Sequence, residues 1–441
     1  MSNKVSLFQQ LLFITLLLFT LQACQSSPQF LFSDEEEKLC EIEYSKYQAT
    51  VTGYCQEPLA DLVQDLPREE KSLEIRPIET IPEVFWFNRE FQYSFVKQPN
   101  KAPLIFVIAG TGAKHDSAKM ISLQKVLYAQ GYHVIALSSP TFANFIVNAT
   151  TKDDIPGYLA KDAETLYEVM QKTYQQVKTE EEIEVSHFEL TGYSLGGAHS
   201  AFVSFLDEKE KVFNFKNVLL INPPVSLYSS ASILDGYLDL ANDRENVTKM
   251  FNRVFDKFAE SYNLQETSEF NSSNIYKLFK HANLSEEELK LLIGTSFRVS
   301  SADMLFAIDA TYNVGAVIYR NHDIGKFESV THSMKRAYNV TFLDYFEKGM
   351  VPWAKEQDSS KTRAQLIFDF SLRSLDSYLR RSEKISMVTN ADDIILAKGE
   401  LAYLQDVFGD RAKVFERGGH CGNIDRVNFV HYLKQQFKGG N

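Results

Sequence analysis

Ser194 lies in Gly192-Tyr193-Ser194-Leu195-Gly196, and small residues follow at Gly197, Ala198, Ser200 and Ala201. Phe188 and Leu190 ahead of it suit a buried strand, and the small residues suit the start of a helix. Glycines two positions either side of a serine have a steric meaning at such a junction. The chain turns sharply, the serine takes a strained backbone, and flanking side chains would collide with neighbouring elements. The turn lifts the hydroxyl clear of the sheet and sets it at a helix N-terminus. Backbone N–H groups there can stabilise developing negative charge. The chemistry this suits is attack by an activated hydroxyl. Two other clusters carry titratable groups. Asp392 and Asp393 precede Ile394-Ile395, and His420 sits in Gly418-Gly419-His420-Cys421-Gly422. Glycines beside a histidine let the backbone fold so that the imidazole reaches back over a sheet. A carboxylate near an imidazole can hold its tautomer and stabilise its cation.

The elements that must position these groups alternate between strand and helix. Residues 84–87 and 91–95 read as antiparallel opening strands. Residues 104–108 are a continuous apolar run with β-branched residues, as in a parallel strand buried on both faces. That run ends in Ala109-Gly110-Thr111-Gly112. Residues 132–137 and 217–222 read as further strands, and 158–177 as an amphipathic helix. Residues 385–390 return to strand just before Asp392, and residues 412–416 form the last strand just before His420. The alternation implies a mostly parallel central sheet with helices on both faces.

Between residues 226 and 382 helical signals dominate. Val247, Met250, Phe251, Val254, Phe255 and Phe258 make one apolar stripe, and Ser285 with Glu288 reads as a capping box. Further helices are expected near 302–310, 340–346 and 364–379. His281, His322 and His332 lie here and read as surface or structural histidines.

In its Gly-x-Ser-x-Gly turn the chain resembles the α/β-hydrolases, whose nucleophile elbow has this pattern. The likeness extends over residues 78 to 441. It implies an α/β-hydrolase fold with a helical cap inserted after the sixth strand. It also implies a triad in the chain order Ser194, Asp392, His420, the acid matching an Asp-x-aliphatic-aliphatic register after the seventh strand. Asp393, one residue off, is the alternate acid. The N–H groups of Leu195 and Thr111 would form the oxyanion hole; Ala109 stands where the family often has His, which leaves a backbone donor intact. The expected activity is hydrolysis of a carboxylic ester through an acyl-enzyme. A peptidase or amidase on the same scaffold, or a binding protein with an idle triad, are the alternatives. No cofactor or metal is implied, and the substrate would be a small or lipid-like ester.

The first 23 residues read as an export signal. Lys4 is the only charge before residue 34, and the apolar run 11–21 is short for a membrane span. Leu21-Gln22-Ala23-Cys24 resembles a bacterial lipobox, which would make Cys24 a lipidated anchor. Gln25 in the next position implies the outer membrane, periplasmic side. The expected organisation is signal 1–23, tether and N-terminal segment 24–75, core 76–225, cap 226–382 and core 383–441. Four cysteines are present. With Cys24 lipidated, Cys40 and Cys55 could staple the N-terminal segment, peripheral to the catalytic unit, leaving Cys421 free. The net charge of −12 argues against nucleic acid or anionic lipid as a partner.

Overall fold

The computed structural model describes residues 45–151, 154–239 and 283–438, with residues 249, 253, 256 and 257. The expected signal, Cys24 and Cys40, the apolar stripe from Val247 to Phe258, and His281 lie outside the described residues.

Eight strands form one sheet in the order β1-β2-β4-β3-β5-β6-β7-β8. They are β1 (Arg68–Leu73), β2 (Phe91–Val96), β3 (Ala102–Ile108), β4 (His133–Leu137), β5 (Val185–Tyr193), β6 (Val218–Ile221), β7 (Ile385–Asn390) and β8 (Ala412–Phe415). β2 runs antiparallel to both β1 and β4, and the pairs from β4 through β3 to β8 are parallel. Every residue of β3, β6 and β7 is buried, as the apolar runs require. The principal helices are α1 (Lys46–Thr52), α2 (Ala118–Ala129), α3 (Leu159–Glu180), α4 (Leu195–Glu210), α5 (Leu227–Asp239), α6 (Glu286–Tyr312), α7 (Glu400–Phe408) and α8 (Val427–Gln436). One core packs α3 and α4 on one face of the sheet, through residues such as Leu166, Met170, Ala198 and Val203. A second packs α2 and α8 on the other, through Leu123, Leu127, Phe429 and Leu433. This is the α/β-hydrolase fold.

The sheet fixes where chemistry can happen. The chain passes from β3 outward to β4 on one side, then returns to β5 on the other. At such a switch the connections leave in opposite directions, opening a crevice at the carboxyl ends of the strands. The loop after β3 and the turn after β5 therefore share one crevice.

Residues 84–87 are not a strand. Glu83–Phe85 is a short 3-10 turn, and Val84 and Phe85 bury with Ile81 against the inserted helices. The opening partner of β2 is β1, whose sequence REEKSL shows no apolar alternation. An edge strand is well served by charges that discourage pairing with another chain.

The chain between β6 and β7 is helical where it is described. Ser285 caps α6 as a capping box: its hydroxyl accepts from Glu288 N at 3.3 Å, and Glu288 Oε2 accepts from Ser285 N at 2.8 Å. The helix expected near 302–310 is the end of this same 27-residue helix. By length and composition α6 could cross a membrane, yet its Leu289, Leu292, Val299 and Ala302 are buried inside the protein. The helix expected over 364–379 is broken at Phe370. There the backbone turns to bond the start of α5 and the residues just before it, Leu227 N to Phe370 O at 3.0 Å and Leu372 N to Val225 O at 2.8 Å. His322 is exposed and pairs with Glu328, and His332 stacks on Tyr319.

Candidate active site

Ser194 takes φ 55° and ψ −127°, a backbone conformation that costs a non-glycine residue energy. The turn is held because its surroundings leave no other path. A Cβ on Gly196 would press on the carbonyl oxygens of Ile108 and Ala109. A Cβ on Gly192 would press on the carbonyl of Gly196. The two glycines thus let α4 start directly against β3. Ser194 N donates to Ile221 O at 2.8 Å, which ties the turn to β6. Gly110 has the same kind of origin: a Cβ there would sit 2.8 Å from the Tyr193 ring and 3.1 Å from Ser194 Cβ. The backbone at Gly110 and Thr111 therefore passes close beside the serine.

His420 comes back over the sheet on the loop after β8. Gly418 and Gly419 adopt φ 149° and 54°, and Cys421 adopts φ 58°. His420 Nε2 lies 2.8 Å from Ser194 Oγ. On the other side, His420 Nδ1 lies 3.0 Å from Oδ1 and 3.1 Å from Oδ2 of Asp393.

The carboxylate in contact is therefore Asp393, not the expected Asp392. The reason lies where β7 ends. β7 ends at Asn390, as expected, and the chain turns there, with Ala391 N donating to Phe415 O at 2.8 Å and Asp393 N to Asn390 O at 3.1 Å. Asp393 then turns inward, its side chain fully buried. It accepts from Asn222 Nδ2 at 2.8 Å and from Ile395 N at 3.1 Å. Asp392 points to the glycines of the histidine loop, and its Oδ1 accepts from Gly419 N at 2.8 Å. Burial raises the Asp392 carboxyl above its ordinary value, against those N–H groups.

Burial alone would lower the proton affinity of His420. The Asp393 carboxylate, and behind it the Cys421 sulfur, outweigh burial and raise it above the ordinary 6.5. Cys421 is free and buried, its Sγ 4.0 Å from His420 Nε2. Cys55 is disulfide-bonded, with a partner outside the described residues.

Leu195 is the first residue of α4, where an N–H has no partner within its helix. Leu195 and Thr111 both line, with Ser194 and His420, a cleft of about 550 Å³. The chain between β6 and β7 supplies an apolar wall that includes Leu227, Leu234, Ile293, Phe297, Met304 and Phe342. Ser300 of α6 closes on the loop after β3, so tightly that a Cβ on Gly112 would stand 2.7 Å from its Cβ.

Three contributors carry no signal strong enough to be found in the sequence. Asn222 directly follows β6 with φ 46°, and its role depends on a partner 171 positions away. Asn390 donates to Gly419 O at 2.8 Å and pairs with Asn423. The third is the N-terminal segment. Residues 45–60, expected at the periphery, pack on the histidine loop: Tyr54 N donates to Gly422 O at 2.6 Å and Ala60 N to Asp425 O at 2.9 Å. Thr50, Val51, Thr52 and Gly53 line the cleft.

No protein-family model matches the chain, and no curated protein matches it in sequence. Solved structures do overlap it. An esterase from the fungus Rhizomucor miehei is 10% identical, with 96% of each chain covered and a TM-score of 0.39. Brefeldin A esterase, described as a bacterial homologue of human hormone-sensitive lipase, is 12% identical, covering 97% of this chain and 89% of its own, with a TM-score of 0.39. Acylaminoacyl peptidase of Pyrococcus horikoshii is 10% identical over 84% of this chain and 42% of its own, with a TM-score of 0.39. Overlaps of this size say nothing of what the chain acts on.

Proposed function

We propose that the chain is a serine hydrolase that cleaves carboxylic esters through an acyl-enzyme on Ser194. The observation that carries this reading is the continuous hydrogen-bonded row Ser194 Oγ, His420, Asp393, opening on a cleft with one apolar wall. Ser194 Oγ attacks the acyl carbon while His420 Nε2 takes its proton. Asp393 keeps the proton of the neutral ring on Nδ1, so that Nε2 is free to accept, and stabilises the imidazolium that forms. The N–H groups of Leu195 and Thr111 hold the oxyanion. His420 then gives its proton to the departing alcohol, and the acyl group stays on Ser194. Water, deprotonated by the same ring, releases the acid and restores the serine.

The apolar wall suits an acyl chain. The test is a series of nitrophenyl esters of rising acyl length, run beside peptide arylamides, with Ser194→Ala as control. Turnover of esters that Ser194→Ala abolishes supports the reading. Turnover of amides alone makes the protein a peptidase or amidase. Ligand binding without turnover makes it a binding protein.

We further propose that the chain is exported and lipid-anchored through Cys24 at the outer membrane, on the periplasmic side. The apolar run ending in Leu21-Gln22-Ala23-Cys24 supports this. A disulfide at Cys55 fits an oxidising compartment, and Cys40 is the partner proposed for it.

A further inference from the structure

The loop that carries His420 has little stiffness of its own. Gly418, Gly419 and Gly422 interrupt it, and two of them and Cys421 hold positive φ. A loop of this composition keeps one geometry only if its surroundings impose it. From the sheet side, Asp392 and Asn390 bond both polar groups of Gly419. Both bonds stop one residue short of the histidine.

The bond to His420 itself comes from the N-terminal segment. His420 N donates to Thr50 Oγ1 at 2.9 Å, across 370 residues of sequence. The hydroxyl proton of Thr50 is already committed, since Oγ1 donates to Lys46 O at 2.7 Å within α1. Its lone pairs are thereby aimed at the His420 N–H. The fit around this bond is tight. A Cβ on Gly419 would press on Lys46 O, and a Cβ on Gly422 would press on Ala49 O. Ser45 caps α1, with its side chain accepting from Gln48 N at 3.3 Å. α1 is thus fixed at its start and pressed against the loop along its length.

We infer that Thr50 is a positioning residue for the hydrolytic reaction: it fixes the backbone of His420 so that one ring reaches Ser194 and Asp393 together. The segment before β1 is then part of the catalytic unit rather than a tether to it. The kinetic part of this inference rests on the proposed hydrolase reading. Thr50→Val keeps the shape of the side chain and removes the acceptor, and Thr50→Ser keeps the acceptor. A displacement of about an ångström in a catalytic group can cost roughly 10²-fold.

The experiment measures both variants by ester hydrolysis against pH and by NMR titration of the His420 imidazole. Thr50→Val should lower kcat about 10–100-fold with KM within roughly threefold. It should also move the imidazole titration down toward 6.5, as the ring slackens from the Asp393 carboxylate facing Nδ1, with the Cys421 sulfur on its Nε2 side. Thr50→Ser should restore both. A Thr50→Val protein with wild-type kcat and imidazole titration overturns the inference, and so does a Thr50→Ser protein as impaired as Thr50→Val. If Thr50→Val does not fold, Thr50→Ala and Thr50→Ser are compared in the same two measurements. An inert wild type would end the hydrolase reading, while the imidazole titration would still report whether Thr50 sets the ring.

Discussion

The neighbouring carboxylates Asp392 and Asp393 give the sharpest test of the geometry, because substitution by Asn separates their roles. Asp393 accepts from four donors: His420 Nδ1, Ile395 N, Asn222 Nδ2 and, at 3.5 Å, Thr389 Oγ1, a hydroxyl that can turn to accept instead. In Asp393→Asn the new NH2 group must face one of them. Facing Ile395 N sets two donors together, one of them in the main chain. Facing Asn222 also sets two donors together, but Asn222 can rotate its amide, since its Oδ1 is buried without a hydrogen-bond partner. The second arrangement keeps the amide oxygen on His420 Nδ1–H and the correct tautomer. What is lost is then the charge, and a hydrogen bond to a charged group is worth about 1.5–3 kcal/mol, roughly 10–10²-fold. If the NH2 faces the imidazole instead, the tautomer inverts and the loss approaches about 10⁴-fold. Asp393→Asn should therefore lose about 10–10⁴-fold in kcat with the fold intact. Asp392→Asn keeps an oxygen for Gly419 N and should stay within roughly tenfold, at a cost of about 1 kcal/mol in stability. The assay is steady-state hydrolysis of one ester the wild type cleaves, with thermal melts alongside. A near-inactive Asp392→Asn beside an active Asp393→Asn would refute the register.

The remaining expectations concern pH, the elbow and the anchor. His420 must be neutral to take a proton, and Asp393 raises its proton affinity. The acid limb of kcat/KM should therefore lie above pH 6.5 and move to lower pH in Asp393→Asn, where the main group opposing burial loses its charge; a limb unmoved by that substitution contradicts the assignment. Gly196→Ala should abolish activity and lower the melting temperature, because the added methyl meets the carbonyls of Ile108 and Ala109, which belong to the main chain; a stable, active variant would mean the elbow has room that the structure does not give it. Cys24→Ala should leave the protein without lipid and away from the outer membrane, and mass spectrometry of the mature N-terminus decides this.

What was legible in the sequence is what short-range sterics dictate. Gly192, Gly196 and Gly419 are there because backbone passes within contact of backbone, and Gly418 because the Asn390 and Asn423 side chains crowd it, so the serine and the histidine could be located from glycines within a few residues. The buried strands were legible because parallel strands covered on both faces are apolar throughout. The acid was legible only to within one residue. Choosing between Asp392 and Asp393 depends on the turn closed by Asp393 N on Asn390 O and on Asn222 at the end of another strand. The brace at Thr50 was not legible. Lys46–Thr52 reads KYQATVT, with β-branched residues and no apolar stripe, and its packing against the histidine loop sustains it as a helix. β1 was hidden for the same reason, since an edge strand of charged residues carries no alternation.

On the proposed reading, Ser194 is a nucleophile activated by His420 and Asp393. The most direct measurement is intact-protein and peptide mass spectrometry after brief exposure to a fluorophosphonate. One phosphonyl group is expected, on the peptide containing Ser194, formed quickly in the wild type, far more slowly in Asp393→Asn and not in Ser194→Ala. Labelling elsewhere, or equal labelling in Ser194→Ala, would contradict it.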